Sequence, residues 1–534
     1  MKFFALSLLV AFLFVETGLM AQSGQVQLKT GTTFDPKGSI SSIPGQIDGM
    51  IYYVSYKKGP WLGGVRSNDL SQAFERELQL PLFGKKPTTF SNIVILGNKL
   101  VMLCEQYNKE KDQKYLLAQK LDENGKNDGE LIEIDAIDAE KKKNSGGFSW
   151  YVDSEKGRML IYSDMPFNKY SKEKFNFKVL DKDLNTVWSE KLELPYPDKY
   201  FKVSDYIIDS NDKLFMTCTF DEFAQTRAEE GKKKAREEAK ERGGNWYTYK
   251  VISFDPKSSK LVDYDVKLEK GQAIVSFEYN LDLNGNLNVV GLYANDNKST
   301  GAHGVYFIKI DSKSGETISS NIKEFDKKMV EEYLVATLGE KRGGKSAEKG
   351  DGIDNFVVDH IINKPDGGLL ISGEIFRTYT VCTTDPRTGA TRCSTHYIYG
   401  YILTIDINPS GEVQWIQYVP KLQHTVNDGG FYSSYGFLVS GERLFYIFND
   451  NVKNYNPKKK PNQTYRMTGV KGSVTTIASM TADGARTMQP NAQLKTDQKI
   501  LRPKVGMYFP QENKLILLAK WKKSECLVEV KIEE

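Results

Sequence analysis

The stretch 277–325 holds one complete copy of a unit that the rest of the chain repeats. Phe277, Tyr279 and Leu281 lead into Asn284-Gly285, and Leu287, Val289, Val290, Leu292 and Tyr293 lead out. An Asn-Gly pair tolerates positive φ at both central turn positions, so two β-rich runs on either side of it read as a tight antiparallel hairpin. A second hairpin follows: a strand over 304–311, a polar turn closing at Gly315, and a return strand over 316–325. Four strands in succession make one small antiparallel sheet, which cannot bury its own faces. The chain must supply further copies to cover it.

It does so. The first-hairpin pattern recurs around Gly49, Gly97, Lys156, Asn211, Gly285, Gly367, Gly441 and Asn513, eight times in all. The copies lie roughly 50 to 80 residues apart, a period that signals a repeat architecture with insertions. The second hairpin carries its own mark, an apolar residue followed by Asp, in Leu121-Asp122, Leu180-Asp181, Phe254-Asp255, Ile310-Asp311 and Ile405-Asp406. Asn68-Asp69 and Met480-Thr481 occupy the equivalent places more weakly. Such an Asp is expected to accept hydrogen bonds from the turn backbone. Trp188 and Trp415, on two of the return strands, are expected to pack between adjacent sheets.

This pattern resembles the blade repeat of β-propellers, and more loosely the quinoprotein-type repeats of periplasmic propellers. The resemblance extends over nearly all of residues 22–534. It implies an all-β fold: a single β-propeller of about eight four-stranded blades, with seven as the alternative count because the first and last units carry the weakest pattern. Residues 25–30 alternate polar and apolar side chains, as a half-buried strand does. They are expected to supply the outer strand of a last blade formed by 505–533. Closure of that kind leaves no long unpaired edge.

The N-terminus reads as an export address. Met1-Lys2 precedes an apolar run over 3–15 that is short for a membrane span, with cleavage expected after Ala21. No other segment resembles a membrane span, so residues 22–534 are expected to be periplasmic or secreted. A formal charge of +4 over 534 residues gives no reason to invoke nucleic acid. Cys382 and Cys393 bracket a turn-rich loop within an insertion at 377–396, and in an oxidising compartment they are expected to form a disulfide. Cys104, Cys218 and Cys526 sit in apolar strand-like runs and read as buried thiols.

Two further insertions read as helical. In 221–245, residues 227–242 form a helical pattern stopped by Gly243-Gly244, with Glu229–Lys233 and Glu230–Lys234 in favourable i,i+4 order. It has almost no apolar face, so it is expected to project into solvent. In 326–354, Asp326 caps a helix carrying a stripe of Met329, Val330, Tyr333, Leu334 and Leu338 and ending at Gly339. Residues 340–354 then read as a mobile loop. A basic run over 456–462 completes the set. The candidate partner-contact residues are Lys232, Lys233, Arg236, Lys240, Lys458, Lys459 and Lys460.

Catalytic patterns are missing. His303, His360, His396 and His424 have no zinc or copper spacing. His360 reads as structural. No nucleophile elbow, zincin, phosphate-loop or dinucleotide motif occurs, and Lys126 spoils a calcium reading of 122–129. No cofactor is implied. The primary expectation is a non-catalytic periplasmic binding platform or scaffold, a subunit of an outer-membrane or cell-envelope protein complex. The alternative is a carbohydrate-acting or carbohydrate-binding propeller with its site in the central funnel, where inward carboxylates would gather from several blades. A quinone-dependent dehydrogenase rests on the repeat resemblance alone and ranks last.

Overall fold

The computed structural model describes residues 25–533 apart from 154–155, 170, 242–246, 270, 296–300, 461–462, 492–493 and 495–498. The expected signal peptide and the Gly243-Gly244 helix stop lie outside the described residues. Eight antiparallel sheets of four or five strands follow one another: sheet 1 (39–77), sheet 2 (89–138), sheet 3 (147–197), sheet 4 (201–266), sheet 5 (273–324), sheet 6 (356–426), sheet 7 (436–490) and sheet 8 (500–533 with Gln25–Thr30). Within each sheet the four main strands run in simple up-and-down order, and in sheet 6 a further strand, Gln423–Val426, pairs with the third. In sheet 8 the fourth strand is Gln25–Thr30, paired antiparallel with Ser524–Glu533 from Gln25↔Glu533 to Thr30↔Val528.

Both faces of these sheets are apolar, which dictates how they stack. The second strand of sheet 5, Leu287–Ala294, is buried at every position, so one face cannot be left in water. Each face packs on the neighbouring sheet. Phe175, Phe177 and Val179 of sheet 3 meet Met216, Ile252 and Phe254 of sheet 4; Tyr264 and Val266 of sheet 4 meet Tyr306 and Ile308 of sheet 5. The same holds from sheet 1 to sheet 8, and the last seam joins Ile516, Leu518 and Leu527 of sheet 8 to Ile40, Ile51, Tyr53 and Val65 of sheet 1. A fully buried side chain of this kind contributes roughly 1.5–3 kcal/mol. Up-and-down sheets packed face to face in succession, with the last against the first, define a β-propeller.

The turns show which sequence signals act. At the first hairpin of sheet 5 the strands pair only to Leu281↔Leu287, leaving a turn over 282–286. This corrects the two-residue turn read from Asn284-Gly285: of that pair only Gly285 has positive φ, 79°. The turn is held instead by Asp282, whose carboxylate accepts from the Asn284 and Asn286 N–H groups at 2.8 Å. Asp122, Asp181, Asp255 and Asp311 act similarly in the second hairpins. Asp406 departs from the pattern: it pairs in the strand and accepts from Lys364 Nζ at 2.6 Å, while Asn408 holds the turn through the Glu412 N–H. Trp188 lies against Phe254 of sheet 4, with ring centroids 5.9 Å apart. Trp415 donates from Nε1 to the Ala482 carbonyl of sheet 7 at 2.9 Å.

The helical insertions differ from expectation in two ways. Residues 221–245 hold two helices, α1 (Ala224–Glu229) and α2 (Lys232–Glu241), broken at Gly231 with φ 88°. They are not a bare projecting rod, because Phe223 and Ala235 bury against each other and Thr226 Oγ1 donates to Glu238 at 3.1 Å. After α3 (Lys327–Leu338), capped by Asp326 Oδ1 accepting from the Met329 N–H at 3.0 Å, the expected loop is a helix, α4 (Glu340–Glu348). Packing overrides its poor intrinsic propensity. Gly343 is buried against α3, and a Cβ there would lie 2.4 Å from Val335 Cα. Gly343→Ala is therefore expected to lower stability by about 1–3 kcal/mol, measured by urea unfolding; an unchanged midpoint would show that α4 does not rest on α3.

Candidate functional site

Antiparallel order sorts the connections onto two edges. Links from first to second strand, and from third to fourth, lie at one edge of every sheet; links from second to third strand, and from one sheet to the next, lie at the other. On the first edge every connection is short, the longest being 311–316. The second edge carries all the long ones: 222–246, 325–355, 420–435, 452–472 and the extended hairpin of sheet 6. Long loops on a rigid scaffold are where binding surfaces are built. The candidate site is this insertion-bearing face.

The sequence-derived contact residues all fall on it, on two different sheets. Lys232, Lys233 and Arg236 are exposed on α2, above sheet 4; Lys240 belongs to the same helix. Lys458 and Lys460 are exposed and Lys459 half-buried, in the insertion of sheet 7. Sheets 5 and 6 separate the two groups, so they do not form one patch. Asp450 anchors the second group: its carboxyl, pushed up to about 6 by burial, accepts from Asn454 Nδ2 at 2.8 Å and the Tyr455 hydroxyl at 2.9 Å. Cys382 and Cys393 are disulfide-bonded in the extended hairpin. Cys104 and Cys218 are buried free thiols and Cys526 is likewise buried, and burial pushes the Cys104 thiol up to about 11.

The first strands of the sheets surround the axis, since neighbouring first strands touch one another, as Ser39–Ile47 touches both Thr89–Leu96 and Ile500–Phe509. Three successive first strands present carboxylates there: Asp205 on sheet 4, Glu278 on sheet 5 and Asp359 on sheet 6. Asp205 and Asp359 are exposed, yet burial raises both, Asp359 to about 6. Water reaches these groups while protein surrounds them, as expected on the wall of a funnel. Glu278 is pushed up to about 7, first by burial and then by the charge of Asp205. On sheet 8, Lys504 is lowered by burial and donates to the Tyr399 hydroxyl of sheet 6 at 2.8 Å and to the Gly429 carbonyl at 3.0 Å. Bulges help to aim three of these side chains: register shifts occur at Val203/Asp205, Val358/His360 and Arg502/Gly506.

A buried polar cluster underlies the loop 420–435. Lys421, fully buried, donates to Glu374 at 2.6 Å and to Gln423 Oε1 at 3.3 Å. Gln423 also accepts from the Ser434 N–H at 2.8 Å and donates to the Asn449 carbonyl at 2.7 Å, and the Ser434 hydroxyl donates to Glu374. The Tyr435 hydroxyl donates to Asp359 at 2.7 Å, tying the loop to the funnel. His360 stacks on Phe437 with centroids 4.3 Å apart and is pushed down to about 4 by burial, which leaves it a neutral packing group. His396 Nδ1 and His424 Nε2 lie 2.9 Å apart, a pairing the sequence does not announce. Among the described residues no three His, Cys, Asp or Glu side chains group as metal ligands, and no helix is long and apolar enough to cross a membrane.

No family model matches the chain, and no curated protein matches it. Among solved structures it is similar to the dihydro-heme d1 dehydrogenase NirN in complex with DHE, at 12% identity, 86% of this chain and 66% of that chain covered, and a TM-score of 0.38. It is similar also to the β-propeller domain of the Trilobed protease from Pyrococcus furiosus, at 11% identity, 85% and 96% coverage and a TM-score of 0.35. The Dos1 propeller gives 9% identity, 94% coverage of each chain and a TM-score of 0.31. Likenesses at this level concern general architecture, and no property of those proteins is carried over. The class, an all-β propeller with one insertion-bearing face, stands on the topology and the inter-sheet seams.

The funnel carboxylates have a pH signature. Glu278 titrates near 7 when folded against an ordinary 4.5, so the folded protein holds the proton more tightly. Its contribution to stability is full below about 4.5 and is lost as pH rises towards 7. Glu278→Gln, which removes the buried charge, is expected to raise the melting temperature at pH 8 by on the order of 2 °C and to leave it unchanged at pH 4. An equal shift at both pH values would contradict this titration.

Proposed function

We propose that the protein is a non-catalytic, exported binding platform: an eight-bladed propeller, closed by its N-terminal strand, whose insertion-bearing face docks a protein partner in the periplasm as part of an envelope complex. One observation carries this reading. Every long connection lies on the same face, while the opposite face is made of tight turns alone. The apolar run over 3–15 and the Cys382–Cys393 disulfide support export. The eight seams between successive sheets, with sheet 8 against sheet 1, support a count of eight blades.

A second reading has its own support. Carboxylates on three neighbouring first strands, Asp205, Glu278 and Asp359, suit a polar ligand such as a carbohydrate in the funnel. Titration of soluble glycans against the wild type and an Asp205→Asn/Glu278→Gln variant separates the two readings, since the platform requires no glycan affinity.

The platform reading is tested by capture from the native envelope in mild detergent. A stoichiometric partner is expected, and charge reversal at Lys232, Lys233 and Arg236, or at Lys458, Lys459 and Lys460, is expected to weaken its capture at least tenfold with the melting temperature unchanged. Recovery of the protein alone would contradict the reading. Equal capture by both reversed variants would remove these lysines and arginines from the interface.

A further inference from the structure

The extended hairpin of sheet 6 carries an open backbone edge. Its strands, Leu369–Thr384 and Thr391–Ile407, outrun their neighbours: the first strand of the sheet pairs only as far as Phe356↔Ile375, and the fourth only as far as Ile402↔Val419. Beyond those points the two strands form a ribbon. One of its edges is covered, since Gln423–Val426 pairs from His396↔Val426 to Tyr399↔Gln423, and Asn427 donates its N–H to the Thr395 carbonyl at 2.8 Å while accepting from the Thr395 N–H at 2.7 Å. Along the other edge, 377–384, no strand pairs among the described residues.

The direction of the free backbone groups follows from the cross-strand contacts. Cys382 and Cys393 are bonded across the ribbon with Cα atoms 4.0 Å apart. Thr380 and Thr395, and Thr384 and Thr391, bring their hydroxyls to 3.0 Å. Pairs this close are the non-hydrogen-bonded pairs of an antiparallel ladder. The N–H and C=O groups of Thr378, Thr380, Cys382 and Thr384 therefore point away from the partner strand, as the Phe376 N–H does in donating to the Asn355 carbonyl at 2.8 Å. Soluble proteins blunt such edges with proline, lysine or a bulge. Here the edge is rich in Thr, contains Val381 at 48% exposure, and is stapled by the disulfide. The charge around it is positive: Arg377 at its base, close to the Asp354 carboxylate, Arg387 in the hairpin turn and Arg392 on the partner strand are exposed, while the Asp385 carboxylate is taken up by the Arg387 and Thr388 N–H groups. Two copies of this edge would repel each other.

We infer that the edge 378–384 receives an extended, acidic segment of a partner protein as an added β-strand. This deepens the platform reading and rests on it. The ladder supplies affinity that does not depend on side chains, and the arginines select acidic segments. The disulfide holds the ribbon in register before the partner arrives, which lowers the cost of ordering it.

Thr380→Pro tests this, because it removes an outward N–H that the hairpin does not use, and proline is tolerated at an edge. Thr380→Val keeps the N–H and is the control; an intact disulfide by mass spectrometry shows that each hairpin has formed. The probe is a capped decapeptide of alternating Glu and Val, compared with its Lys–Val counterpart. Expected are binding of the Glu–Val peptide with slowed amide exchange over 378–384, at least tenfold weaker binding of the Lys–Val peptide, and at least tenfold loss in Thr380→Pro with Thr380→Val unchanged. Failure of the Glu–Val peptide to bind, equal binding by the proline variant, protection confined to other segments, or pairing of this edge with a second copy would overturn the inference. If an envelope partner is captured equally by wild type and Thr380→Pro, strand addition fails while the platform reading stands; if no partner is captured, the platform reading itself fails.

Discussion

Apolar packing between neighbouring sheets is the interaction on which everything else here depends. A four-stranded sheet with both faces apolar is insoluble by itself, and stacking a second sheet on one face only moves the problem outward. A row of such sheets is finished when the last one meets the first. Here that seam is made by Ile516, Leu518 and Leu527 against Ile40, Ile51 and Tyr53, and it is reinforced by polar links. Arg502 and Glu525, both almost fully buried, pair at 2.9 Å, and Arg502 donates to the Ile40 carbonyl at 2.8 Å. The Phe34 and Glu525 backbones exchange two hydrogen bonds at 2.8 Å. The terminal strand pairing then covers the outer edge of Ser524–Glu533.

Closure also explains where function can reside. Once every sheet face is used for stacking, what remains open is the axis, the two rims and the narrow outer strands, such as Thr317–Glu324, which is exposed at most positions. One rim is limited to short turns, several of them locked by an Asp carboxylate. The other is free to grow. Growth has a stability cost where long loops must be fixed, and the buried Lys421–Glu374 pair shows how one is fixed: removing one member of such a pair typically costs about 3–5 kcal/mol, because the other is left charged and buried. Asp450 does the equivalent for the insertion of sheet 7, and the α3–α4 contact at Gly343 for the insertion between sheets 5 and 6.

Much of the architecture was legible because the signals are local. Each of the eight turn positions read from the sequence marks the first hairpin of one sheet, and the Asp that closes the third strand holds its turn in four of five copies. Trp188 and Trp415 lie between sheets because the return strand faces the next sheet. Local reasoning failed where a contact between distant segments decides the outcome. The α4 segment, with Gly343 and Gly344, has weak helix propensity and is helical because α3 receives it. The single rod read into 221–245 ignored what Phe223 and Ala235 bury. The carboxylates of the funnel come from three sheets, and Glu374 and Lys421, or His396 and His424, meet only because the strand order brings them together. The sidedness of the insertions lay between these cases: it follows from strand direction alone, once each insertion is assigned to a particular connection.

Ring closure through the terminal strands is best tested by a cross-link. Gln27 and Lys531 are register partners and both are exposed, so cysteines at these two positions are expected to join within one chain under mild oxidation. Peptide mapping should show the 27–531 bond, and the thermal midpoint should rise because the bond removes freedom from the unfolded chain. Free thiols after oxidation, or bonds between chains only, would contradict a ring closed by its own N-terminal strand.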